Sequence, residues 1–127
     1  MSNYLPFGRL VWKRETSGIS STLTATVTSM EFSLREFTDL WLSVAVAAVA
    51  GDTPTLDVSL EIKGAGDKWF PSGLSAPQLT APGTAQAASG LHHATKPLVL
   101  PERGRIVLTV GGTTPSLQGV DVALYGR

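Results

Sequence analysis

The sequence of 127 residues contains no cysteine, so it offers neither disulfides nor thiolate ligands for a metal ion. It also lacks an excess of charge of either sign, because ten basic residues balance ten acidic ones. Nucleic-acid binding requires clustered Lys and Arg that displace counterions, and a polybasic membrane anchor requires a similar cluster. We therefore expect no nucleic-acid partner and no membrane partner.

Long apolar runs are lacking as well. The longest uncharged apolar run, Leu40 to Gly51, is about half the length that a membrane helix needs. The first residues, MSNYLPFGRLVWKR, contain no basic region followed by an apolar stretch, so we expect no secretory signal and synthesis in a cytoplasm. A small domain without net charge is poorly protected against association. We therefore expect a homo-oligomer or docking on a larger body.

Strand signals dominate what the sequence does contain. Leu56 to Lys63 alternates apolar and polar side chains, which predicts a strand with one face in a core and one in water. In Leu40 to Val49 the side chains on both faces of the strand are apolar. This pattern predicts a strand whose one face is covered by its own domain and whose other face is available to another chain. These two strands carry more apolar surface than any other stretch of the sequence.

Further strand patterns follow, with turn residues about every ten positions. They cover Thr22–Thr28, Lys68–Pro71 (ended by the proline), Thr84–Ala88, Arg105–Val110 and Gly119–Tyr125. An exposed loop is predicted from Ser89 to Lys96, and loops of that length are usually functional or mobile. No helix of useful length is indicated. The pattern predicts an all-β fold, a single antiparallel β-sandwich of jelly-roll type over residues 19–127, preceded by an N-terminal arm or edge strand over residues 1–18.

One short sequence pattern occurs twice. Gly51 to Leu56 reads GDTPTL and Gly112 to Leu117 reads GTTPSL, each between two predicted strands. In each, glycine supplies an unusual backbone angle and proline fixes the residue that enters the next strand. The repeat predicts two matching hairpin turns.

Side chains that could support catalysis do not converge in the pattern. His92 and His93 are neighbours in the irregular loop, where adjacent side chains point in opposite directions and do not readily share a metal ion. Asp57 and Glu61 lie on one face of a strand, and Asp121 lies across the predicted sheet, an arrangement typical of a solvated outer face rather than a pair of catalytic acids. We expect neither an enzyme nor a cofactor or metal site.

Large apolar groups at the amino terminus allow two interpretations. Phe7, Leu10 and Trp12 belong either to a first edge strand at Arg9–Lys13 that packs on its own domain, or to an arm that reaches a neighbouring subunit. Trp12, Trp41 and Trp69 could also form an aromatic platform for sugar rings, although packing in the core or at a subunit interface is the commoner use of tryptophan.

The motifs from Leu40 to Arg127 resemble those of small all-β virion proteins of tailed bacteriophages. The resemblance lies in the Gly-x-Thr-Pro-[Thr/Ser]-Leu turns, the Lys-Gly-x-Gly-Asp-Lys-Trp turn, the LTAPGT step at Leu79–Thr84 and the closing IVLTVGGTTPSLQGVDVALYG. Members of this group are head decoration (cement) proteins or neck and tail accessory proteins. The resemblance brings no catalytic residue with it. It implies a structural protein of the virion, often trimeric, that is made in the host cytoplasm and binds the major capsid protein or another virion protein.

The resulting hypothesis is a decoration protein that binds between capsomers and stabilises the shell by burying apolar area. Its expected contacts are Phe7, Leu10 and Trp12 in the arm, together with Leu91, His92 and His93 in the loop. The alternative hypothesis is a carbohydrate-binding or receptor-binding module of a phage tail, neck or fibre, with Trp69 in contact with the sugar.

Overall fold

The protein folds into two antiparallel sheets that enclose one core. The structure, a computed structural model, describes residues 8–95 and 97–127. The strands of this part of the chain are β1 (Arg9–Lys13), β2 (Val27–Thr28), β3 (Phe32–Ser33), β4 (Asp39–Val46), β5 (Ala48–Lys63), β6 (Trp69–Ser75), β7 (Gly83–Gly90), β8 (Arg103–Gln118) and β9 (Asp121–Gly126). Two short 3₁₀ turns, Arg14–Thr16 and Ala65–Asp67, lie between strands. None of the helices described is long and apolar enough to cross a membrane.

The strands pair in a nested order. The first sheet runs β1, β9, β4, β7, and the second runs β2, β8, β5, β6, with β3 also beside β8. The first strand thus pairs with the last, β2 and β3 pair with β8, β4 pairs with β7, and β5 pairs with β6. This wrapping of an antiparallel chain into two sheets is the jelly roll. The predicted all-β antiparallel sandwich of jelly-roll type is confirmed.

Alternate residues of the long strands fill the core. In β4 the buried positions are Leu40, Leu42, Val44 and Val46, as the strand period requires. In the second sheet, β5 and β8 bury Leu56, Val58, Leu60, Ile106 and Leu108 against these residues. In the first sheet, β9 adds Val122 and Leu124. The other face of β4 stays open to solvent within a single chain, and Trp41 on that face is 41% exposed.

The repeated Gly-x-Thr-Pro pattern is not a pair of hairpin turns, so that prediction is wrong. Both copies lie inside long strands, β5 and β8, and they face each other across that strand pair, where the register shifts. Gly51 and Gly112 have φ of 97° and 107°, and Thr53 and Thr114 have φ of 47° and 45°. The same sequence therefore produces the same backbone twice and forms two matched bulges. β4 and β5 do not form a hairpin either: the chain passes from the first sheet to the second at Ala47, and the two strands do not pair with each other.

Two further strand predictions require correction. Over Thr22–Thr28 only Val27–Thr28 is a strand, because the hydroxyl of Thr26 accepts the backbone N–H of Val110 (3.0 Å) and takes the place of a backbone acceptor. Pro71 does not end its strand: β6 continues to Ser75. Proline is tolerated there because β6 is an edge strand with a register shift beside Pro71.

The amino-terminal residues that the structure describes belong to the domain. Arg9–Lys13 is the edge strand β1, paired with β9 and bulged between Leu10 and Trp12. Phe7 lies outside the described residues. At the other predicted contact segment, Ser89 still belongs to β7, and the loop proper begins at Leu91.

Candidate binding face

A row of apolar side chains crosses the outer face of the first sheet. Strand register places Leu10 opposite Tyr125, Tyr125 opposite Trp41, and Trp41 opposite Ala88. Directly opposed residues share a face, so the four side chains form one line across all four strands. We call this line the aromatic row. Leu10 is 47% exposed and Trp41 is 41% exposed, which makes the row accessible to a partner.

The two rings of the row hold each other in place. Trp41 and Tyr125 lie 5.5 Å apart between ring centroids, with their planes inclined by 32°. The indole N–H of Trp41 donates a hydrogen bond to Oε1 of Gln86 on β7 (2.8 Å). Because this bond satisfies the polar group of the indole, the exposed part of the ring offers apolar surface in a fixed orientation.

Small side chains lie beside the aromatic row on the same face. Ala123, Ser43 and Gln86 form the next line of opposed residues, and Asp121, Ala45 and Thr84 the line after that. They form the floor of a shallow groove of about 610 Å³ that Lys13 and Glu15 border on one side. A ligand lying along this groove would contact the rings at one end and polar side chains at the other.

On its other side the aromatic row borders a second groove of about 490 Å³. Trp41 and Tyr125 line it together with Asp39, His92, His93 and Arg127. The structure thus brings the predicted loop residues to the rings. Although the two histidines are adjacent in sequence, both border this same groove.

Asp39 ties the loop after β7 to the beginning of β4. Its Oδ1 accepts the backbone N–H of His92 (2.9 Å), and its Oδ2 lies 2.7 Å from Nδ1 of the same residue. An ionised carboxylate only accepts hydrogen bonds, so Nδ1 carries the proton in this contact. Thr38 donates its hydroxyl to Oδ2 (3.2 Å), and Arg127 Nε lies 3.8 Å from it.

These contacts lower the pKa of Asp39 below its ordinary value of 3.8. Burial is the largest single influence and by itself raises the pKa. Together, the hydrogen bonds from the side chain and backbone of His92 and from Thr38 outweigh the effect of burial. A carboxylate with a lowered folded-state pKa stabilises the fold fully above its unfolded pKa. That stabilisation is lost as the pH falls through the folded value.

We therefore expect Asp39→Asn to flatten the acid limb of stability. The variant should lose less free energy of unfolding than the wild type between about pH 5 and about pH 2, because it has no carboxylate to protonate. Urea unfolding at a series of pH values measures this, with Asp67→Asn, in the exposed turn after β5, as a control for removal of one carboxylate. An Asp39→Asn profile parallel to the wild type would show that the contact with His92 does not stabilise the fold.

The structure distributes the other predicted contact residues differently. Leu10 lies in the aromatic row. Leu91 is exposed at the start of the loop after β7, and its backbone N–H donates a hydrogen bond to the carbonyl oxygen of Thr38 (2.8 Å). Trp12 instead packs against the core and stacks on Phe32, with ring centroids 6.3 Å apart. It serves its own domain in this structure.

Trp69, the predicted sugar contact, lies on the second sheet, away from the aromatic row. The guanidinium of Arg105 lies 4.4 Å from its ring centroid and the ammonium of Lys63 lies 5.7 Å away. Both cations lie over the ring, where a sugar would have to stack. The sequence pattern favours a packing role for Trp41 and gives no sign that it pairs with Tyr125. The one signal for this site was the apolar character of both faces of Leu40–Val49.

The acidic residues considered for catalysis do not form a pair. Asp57 accepts a hydrogen bond from Gln78 (2.8 Å), and Glu61 accepts one from Nε of Arg105 (2.8 Å). Asp121 lies in the other sheet. Across residues 8–95 and 97–127, no three His, Cys, Asp or Glu side chains come together in a way that could hold a metal ion.

Comparison with known proteins adds little to this geometry. No protein-family model matches the sequence, and no curated protein matches it. Among solved structures, one described as "CBM4 structure and function" aligns with a TM-score of 0.43 at 16% identity, over 89% of this chain and 84% of that one. Dimeric latent PorU from Porphyromonas gingivalis aligns with a TM-score of 0.37 at 16% identity, over 84% of this chain and 10% of that one. Likenesses this distant carry no argument about function.

Proposed function

We propose that the protein is a structural component of a tailed-phage virion that decorates the head by binding between capsomers through the outer face of its first sheet. The aromatic row carries this proposal. Aromatic side chains fixed in orientation and exposed beside small neighbours are the anchors that dominate protein interfaces. The motif resemblance from Leu40 to Arg127 supplies the kind of partner, the major capsid protein or another virion protein.

Two properties of the chain support a docking role. The net charge is zero, which leaves little electrostatic repulsion against a large assembly. The aromatic row runs from Leu10 on the edge strand β1 to Ala88 on the edge strand β7, so it spans the full width of the sheet.

The test is co-sedimentation of the purified protein with mature heads stripped of accessory proteins, titrated to saturation. We expect saturable binding with a copy number that matches a repeating site of the shell. Heads carrying their full complement of accessory proteins serve as the blocked control. Failure to bind stripped heads under conditions in which the protein is folded would refute the decoration role.

A second candidate function is carbohydrate binding, and a separate observation favours it. The grooves on either side of the Trp41–Tyr125 pair combine ring surface with polar groups, including Gln86, His92 and Arg127. An aromatic platform with a few hydrogen-bonding groups on its rim is a common design for a ligand groove.

Polysaccharide titration separates the two candidates. A glycan lying on the rings should change tryptophan fluorescence in a saturable manner, and the change should disappear in Trp41→Phe if that indole reports the binding. A protein that sediments with heads and shows no fluorescence change with host surface glycans supports the structural role. The opposite pair of results supports a receptor-binding module of the tail or fibre.

A further inference from the structure

The outer edge of β7 lacks the bulges, charges and prolines that commonly protect the edge of a sheet. β7 is the last strand of the first sheet and pairs with β4 at eight successive positions without a register shift. Its sequence, GTAQAASG from Gly83 to Gly90, contains no charged residue and no proline. A regular edge strand of this kind presents unpaired backbone N–H and C=O groups to any strand that approaches.

The other edges of the two sheets carry such protection. β1 has a bulge and the charged residues Arg9 and Lys13. β6 contains Pro71 and an irregular register. β2 and β3 are each only two residues long. Bulges, charges, proline and short strands are the usual means by which proteins prevent edge pairing, so β7 is the exception in this fold.

Part of β7 is already covered by the chain itself. Gly90 forms a parallel bridge with Pro97, and Leu98 donates its N–H to the carbonyl of Gly90 (2.9 Å). In the part of the chain that the structure describes, no strand pairs with the outer side of Gly83 to Ala88. The open edge is therefore six residues long, close to the length of an average strand.

We propose that a second copy of this chain occupies the open edge, with two β7 strands paired antiparallel about a two-fold axis. Two copies of an uncharged strand can pair without like-charge repulsion. Most side chains of β7 are small, so on neither face of the sheet would they keep the two strands apart. The isologous contact would join two first sheets into one sheet of eight strands. It would also place two aromatic rows on one continuous surface and so double the proposed binding face. The dimer itself does not depend on the proposed function.

Sedimentation equilibrium over a concentration series tests the contact. We expect a reversible dimer, and we expect Thr84→Lys to raise its dissociation constant at least about tenfold because each dimer acquires two like charges at the shared edge. Thr84 is exposed, so the fold should survive, and far-ultraviolet circular dichroism checks this. Thr113→Lys, which adds the same charge at an exposed position in the β8 bulge, should leave the dimer unchanged.

Cysteine scanning gives a second, independent measurement, because the natural chain contains no cysteine. Single cysteines placed in turn at positions 84 to 87 should give a disulfide-linked dimer where the position lies at the two-fold axis, since opposed antiparallel residues have the Cβ separation that a disulfide needs. Thr113→Cys should remain uncrosslinked. A chain that stays monomeric, or an oligomer that neither Thr84→Lys weakens nor these cysteines link, would overturn the proposal.

Discussion

Gly51→Ala should destabilise the protein by about 3–5 kcal/mol, which places it among the most damaging single substitutions expected in this chain. Gly51 has φ of 97°, a conformation that side-chain-bearing residues rarely adopt. A methyl group at this position would also collide with the carbonyl oxygen of Thr114, and would lie only 3.0 Å from Cα of Pro115. Both obstacles are backbone atoms of the opposing bulge, so neither can rotate away.

Gly18→Ala is the matched control for this substitution. Gly18 has a similar φ of 82°, but nothing lies within 4 Å of where its Cβ would be. This variant should therefore show only the conformational cost, about 1–2 kcal/mol. Urea unfolding of both variants separates the two contributions. Equal losses for Gly51→Ala and Gly18→Ala would mean that the two bulges do not pack as closely as the structure places them.

Trp41→Ala should weaken attachment to stripped heads by about 30-fold or more, the loss typical of an aromatic residue at the centre of an interface. The substitution removes the larger ring of the aromatic row and leaves Tyr125 without its partner. The titration is the co-sedimentation described above, carried out with the variant and the wild type on the same preparation of heads.

Phe70→Ala is the control for loss of an exposed aromatic ring. Phe70 is 44% exposed, close to the 41% of Trp41, but it lies on β6 in the second sheet. It should bind heads with the wild-type affinity. If Trp41→Ala also binds as tightly as the wild type, the aromatic row is not the docking surface, although a decoration role through another face would stand.

Part of the site around Trp41 could be predicted from the sequence. Leu40–Val49 is apolar on both faces of the strand, which indicates that one face is available to a partner. The loop containing His92 and His93 is predicted to be exposed. The pairing of Trp41 with Tyr125 was not foreseen. The two residues are far apart in the sequence, and they meet only because β9 lies beside β4 in a particular register. A shift by one residue would have placed Tyr125 in the core.

The repeated Gly-x-Thr-Pro pattern illustrates the same division. Its local chemistry was interpreted correctly in part, since both glycines have positive φ and both copies interrupt regular strand geometry. The conclusion that each copy ends a strand was wrong because a bulge and a turn require similar backbone angles. Only the pairing of β5 with β8 distinguishes them, and that pairing is a long-range contact.

The all-β class of fold and the buried face of Leu56–Lys63 could be predicted from local patterns, because the alternation of apolar and polar residues depends only on the period of a strand. Which strands became neighbours depended on pairing between distant parts of the chain. This pairing placed Leu10, Tyr125, Trp41 and Ala88 in one row and left β7 at an open edge. Strand order and register arise from contacts between distant segments, and no local pattern specifies those contacts.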